Sequence, residues 1–278
     1  MSTETHGSTA TREPDDNPLL VVARFEGRNR LRVTGVIAVL FALFGLMYVW
    51  IGPQMIEAGF SELLDAMPPV VTELFGFESL ESIEGLLASE FYTLGWIVGL
   101  GGYLAYSAAG TVAGDLRDER MDTLVTGPVS RRSVLLGKYL ALLVPIVVLN
   151  VVVPVVLYVA SFAIEETLPL VDLAIVHVFS IPYLLFWSAI GLLLGVVVRR
   201  GRTAGRLALG AVFFGWLAES IISTTDYDWL GGLSPMRYFD PPGVLVHGTY
   251  DVAGAGLLLV GAFVAVGVSQ YWFQRHDL

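Results

Sequence analysis

AGDLRDERMDTLVTGPVSRRSVLLGKYLA, residues 113–141, sits between two long apolar runs and carries five of the chain's sixteen Lys and Arg residues: Arg117, Arg120, Arg131, Arg132 and Lys138. Its first part is denser still, with six charges in the eight residues from Asp115 to Asp122. A hydrated stretch of this kind between apolar runs is a loop at a membrane surface, and basic loops stay on the cytoplasmic side. Its reading therefore sets the orientation of both neighbours.

The remaining basic residues follow the same side. Arg12, Arg24, Arg28, Arg30 and Arg32 precede the first apolar run; Arg199, Arg200, Arg202 and Arg206 lie between the fourth and fifth; Arg275 follows the sixth. Only Arg237 falls outside. The runs cover about residues 33–51, 91–113, 139–164, 173–198, 203–222 and 252–273, each near the ~20 residues that cross a hydrocarbon layer. The fifth is the weakest, because Arg206 must snorkel to the inner interface and Glu219 sits near the outer end. The expected fold is an all-α membrane protein of six transmembrane helices with both termini cytoplasmic. Residues 18–32 read as an N-terminal interfacial helix, in which Leu19, Leu20, Val22 and Phe25 are apolar and Arg24, Arg28, Arg30 and Arg32 basic.

Residues 1–17 are polar and expected to be disordered; residues 18–278 are expected to form a single six-helix membrane domain. Within it, 52–90 is an external segment of short amphipathic helices, rich in Glu and without Lys or Arg, and 114–138 is the cytoplasmic loop. Gly pairs within the runs, among them Gly191 with Gly195 and Gly254 with Gly261, suit close helix approach.

Composition agrees with a bilayer setting: 55% of residues are hydrophobic and mean hydropathy is +0.68. The net charge of −10 resides largely on the outward side, and one Lys against fifteen Arg with acid excess suggests a high-salt environment. There is no cysteine, which excludes disulfides, thiol catalysis and Cys-ligated metals. The basic residues are scattered over several membrane-flanking clusters, which argues against nucleic acid as a partner.

In the 114–138 loop, Leu116, Met121, Leu124 and Val125 give a projecting helix an apolar side, Pro128 ends it, and Ser130 caps a new helix from Arg131. A helix–Pro–helix element tied to two spans can tilt both when it is pushed. The residues that would carry this role are Asp115, Arg117, Asp118, Glu119, Arg120, Leu124, Pro128, Ser130, Arg131 and Arg132.

Asp115, Leu124, Pro128-Val129-Ser130-Arg131 and Gly137-Lys138 together resemble the cytoplasmic loop of ABC-2 type permeases, the membrane subunits of ATP-driven ABC transporters. Glu119-Arg120 stands where that family usually has Gly-Thr. Arg24-Phe25-Glu26, Leu233-Ser234-Pro235 with Tyr238, and residues 273–278 extend the likeness over nearly the whole chain. The resemblance implies a permease in the plasma membrane, usually an exporter, whose loop receives a separate ABC ATPase. It further implies a second permease subunit, identical or similar, and ATP with magnesium in the ATPase, with no cofactor in this chain. No phosphate-binding loop is present here: Arg132 stands where its earlier Gly belongs and Tyr139 where its Ser or Thr belongs.

Two other readings compete. One is an ATPase-independent carrier or structural membrane subunit. The other is a membrane enzyme, since Glu165-Glu166 resembles the paired Glu of CAAX-type proteases, but Leu170 holds the place of their Arg. His6, His177, His247 and His276 show no metal-ligand spacing, and His177 reads as a packing histidine. Polar intrusions at Asn150, between Pro145 and Pro154, and at Glu219 are the candidates for a transport pathway. No catalytic or metal residue is expected, and no motif names a substrate.

Overall fold

Asn17 accepts a hydrogen bond from the Leu19 amide at 3.1 Å, and Pro18 takes the first helical position, where its missing N–H costs nothing. From there helix α1 (Pro18–Glu57) runs 40 residues, about 60 Å at 1.5 Å per residue. The computed structural model describes residues 17–59, 67–68, 71, 81–117, 130–164, 167–198 and 200–275, with the backbone alone for 112–117 and 131. The interfacial helix and first span expected separately are thus one uninterrupted helix. Its buried positions, Gly27, Thr34, Ala38, Ala42, Gly45, Val49 and Gly52, form a narrow stripe of mostly small residues. Val36, Val39, Leu40 and Leu43 point away from the bundle and are exposed. A helix that is apolar all round belongs in lipid, which covers what the protein leaves bare.

Ser82 caps the next helical stretch by accepting from the Gly85 amide at 3.1 Å. Helix α2 (Ile83–Leu86), a π-helical segment (Leu87–Leu100) and helix α3 (Gly101–Arg117) then follow end to end. Fourteen residues is long for π geometry, which usually appears as a single-turn bulge. The segment is the most enclosed part of the protein: Phe91, Tyr92, Trp96 and Leu100 are fully buried. Residues 83–87 of the segment expected to be external pack inward against the last turns of α1, where Gly52 faces Leu86 and Ile83. The rest of the external segment contains residues 60–66, 69–70 and 72–80, outside the described residues, as are 1–16.

Helix α4 (Arg131–Ala141) continues across Leu142 into α5 (Leu143–Ser161). The interruption has a cause in Pro145, which cannot donate to the Ala141 carbonyl and whose ring crowds it. Helices α6 (Leu170–Val198), α7 (Gly201–Ile222) and α9 (Val252–Arg275) complete the bundle, with the short α8 (Pro241–Leu245) before α9. Asp240 caps α8 through the Gly243 amide at 3.0 Å, and Asp251 caps α9 through the Gly254 amide at 2.8 Å.

Helix α6 is the hub, packed by α3, α9, α7 and α5, while α1 lies outside against α4 and α5. Gly191 and Gly195 of α6 face Ala105 and Ala109 of α3. A Cβ on Gly195 would stand 2.6 Å from the Ala109 carbonyl oxygen, and one on Gly191 would overlap that of Ala105. This small-residue pair therefore joins two helices of the same chain.

All described secondary structure is helical. Among the described residues, five stretches are long and apolar enough to cross a membrane: Pro18–Glu57, Arg132–Ile164, Leu170–Val198, Gly201–Ile222 and Val252–Arg275. The remaining run expected from sequence, 91–113, falls on the π segment and α3, neither of which reaches spanning length alone.

Candidate functional site

The loop singled out in the sequence joins α3 to α4. Asp118, Glu119, Arg120, Leu124 and Pro128 lie outside the described residues. Asp115 and Arg117 are in the last turn of α3, and Arg131 opens α4. Ser130 caps α4, accepting from the Ser133 amide at 3.1 Å, and Arg132 beside it is exposed.

Both arms of the loop are fastened to α1. Arg30 donates to the Ser107 hydroxyl and to the Thr111 hydroxyl, each at 2.6 Å. These two acceptors lie one turn apart on the same face of α3. On the other arm, Glu26 pairs with Lys138 of α4 at 2.7 Å, and the lysine side chain is 3% exposed. Next to it, Gly137 lets α4 approach closely: an added Cβ would lie 2.8 Å from Val22 and 3.0 Å from the Leu19 carbonyl. A charge-assisted bond at such a site is stronger than a neutral one, and breaking a buried pair costs about 3–5 kcal/mol.

Sequence reasoning missed these ties. Arg30 is one of five arginines before the first run, and nothing in their spacing separates it from the rest. Ser107 with Thr111 was the available signal, two hydroxyls at i and i+4 in an apolar helix, but a hydroxyl there can also bond its own helix. Thr111 does both, donating to the Ser107 carbonyl at 2.6 Å.

Asn150 and Glu219 are placed in different parts of the bundle. The Asn150 amide nitrogen donates to the Ile146 carbonyl at 2.8 Å, which leaves its oxygen as acceptor for Ser180 at 2.7 Å and for His177 Nδ1 at 3.1 Å. His177 Nδ1 must then carry the proton, and Nε2 accepts from the Tyr92 hydroxyl at 2.9 Å. Trp96 stands edge-on to the imidazole. This chain of donors ties α5, α6 and the π segment together, so His177 is a packing residue. Asn150 and His177 also border an apolar groove of about 410 Å³ between α5 and α6.

Glu219 pairs with Arg237 at 2.9 Å, and Arg237 also binds Asp228. Arg237, set apart from the other basic residues by the sequence pattern, is therefore held by two carboxylates. The Asp228 hydrogen bond foremost, and Glu219 after it, raise the guanidinium above its ordinary value against the opposing effect of burial. Glu219 Oε2 has no partner among the described residues, and the side chain borders a cavity of about 370 Å³ with Ser220, Ser223, Trp216 and His247. Among the described residues, no three of His, Asp and Glu gather into a metal site.

Comparison with curated proteins finds no match. A family model described as an ABC-2 family transporter protein matches residues 20–278.

Proposed function

The chain belongs to the ABC-2 family of transporter proteins, and on that premise we propose that its α3–α4 loop receives the motion of a separate ATPase. It is a multi-pass membrane protein and the permease component of an ABC transporter. In our reading the bundle crosses the plasma membrane six times, the π segment with α3 making the sixth crossing, and both ends are cytoplasmic. ATP and magnesium are bound by the partner, a second permease subunit completes the transporter, and movement of substrate is outward.

One observation carries this reading: the two arms of the loop are each bound to α1, through Arg30 on one side and Glu26 with Lys138 on the other. A displaced loop cannot slide freely past the bundle; it takes α1, α3 and α4 with it. A partner biases such an element only as far as its nucleotide states differ in affinity for it. Asn150 and Glu219 are the proposed pathway residues, each bordering its own cavity.

The test is co-purification with a partner ABC ATPase, comparing wild type with Asp115→Ala and Arg131→Ala, followed by transport in vesicles. Association and transport are expected to fall about tenfold or more in both variants, equivalent to about 1.4 kcal/mol of lost contact. Full association and transport in both variants would remove the loop from the coupling path. Transport by the permease alone would favour an ATPase-independent carrier.

A further inference from the structure

Where α1 lies against the α4–α5 junction, an open groove of about 730 Å³ is left between the side chains. Its walls are apolar, with Leu20 and Leu31 from α1 and Leu140 and Val144 from the facing helix. Gly27 at its base lets the helices meet, since a Cβ there would stand 2.9 Å from Val144. Arg24 and Arg28 line the same groove. They are one turn apart, both exposed, and neither makes an ion pair or side-chain hydrogen bond with another described residue. Among the described residues, no acidic side chain lines the groove. Beyond it the bare surface of α5 continues with Val147 and Val151.

This combination is selective. Two guanidiniums without a partner among the described residues call for an anion with several oxygens, which they can bind as a fork. The leucine and valine walls call for hydrocarbon. The arginines stand where the apolar run of α1 begins, at the depth of lipid headgroups. We infer that this groove holds one anionic phospholipid, its phosphate between Arg24 and Arg28 and an acyl chain along Leu31 and Val144. A second copy of this chain fits less well, because a self-complementary contact there would bring like charges together. The inference needs the membrane setting of the chain but not the ATPase, so its failure leaves the coupling proposal untouched.

The test uses the full chain purified from mixed vesicles of phosphatidylglycerol and phosphatidylcholine with matched acyl chains. Lipid retained per chain is counted by mass spectrometry for wild type, the Arg24→Gln/Arg28→Gln double variant and Arg202→Gln, an exposed arginine outside the groove. Wild type and Arg202→Gln are expected to retain phosphatidylglycerol selectively. At about 1 kcal/mol for each arginine near an anionic headgroup, the double variant should lose roughly 30-fold in that preference. Ala23→Trp, which fills the groove without changing charge, should expel the lipid as well and replaces the double variant if that one unfolds. Equal retention of phosphatidylcholine by wild type, an equal loss in Arg202→Gln, or phosphatidylglycerol retained by Ala23→Trp would each overturn the site. So would a lipid-free dimer that the groove variants dissociate, which would make the occupant a second copy.

Discussion

Gly191 stands where the Ala105 carbonyl of α3 leaves no room for even one carbon. Gly191→Ala forces two backbones apart at the hub of the bundle, and overpacking of this kind costs about 1–3 kcal/mol. Gly267 is the internal control, because a Cβ there meets nothing within 4 Å. In thermal unfolding in detergent, Gly191→Ala should melt well below wild type while Gly267→Ala matches it; equal melting of all three would refute the close contact. Sequence shows that a glycine is present in a helix, and its spacing suggests a small-residue face. It does not show which helix presses on that face, because periodicity reports a direction around one axis and nothing about the neighbour. The same limit hid the partner of Glu219. Arg237 was legible as the one basic residue on the wrong side, but their meeting depends on how the turns after α7 fold back.

Among the elements, the spans were the most legible, five of the six expected being found among the described residues, because hydrocarbon demands an apolar stretch of set length. The cap at Ser130 was equally plain, and so was the effect of Pro145, one side chain acting on its own helix. What escaped was anything requiring two distant elements. Arg30 reaches Ser107 and Thr111 across 77 and 81 residues, and only the folded bundle brings them within bonding distance. The helix expected over residues 18–32 runs on into the first span without interruption, and there Arg30 of α1 finds acceptors on α3 and Glu26 finds Lys138 on α4. Arg30→Gln tests the tie directly. The shorter amide cannot bridge both hydroxyls, so the ATPase should still co-purify while transport per ATP hydrolysed drops several-fold. An unchanged ratio in reconstituted vesicles would show that α1 is a passive neighbour.

For the molecule as a whole, orientation can be checked cleanly, since the chain contains no cysteine. Single cysteines introduced at Thr225 and Thr203, both exposed and at opposite ends of α7, report the two faces. A membrane-impermeant maleimide added to intact cells should label Thr225→Cys at once and Thr203→Cys only after lysis; the reverse pattern would invert the protein in its membrane. The 40-residue length of α1 bears on motion across that membrane. A stiff rod about twice as long as the hydrocarbon is thick swings about its middle, so a tilt of only about 10° displaces each tip by roughly 5 Å in opposite senses. A small nudge on the cytosolic side would thus be felt outside at full amplitude and with inverted direction, with no hinge needed in between.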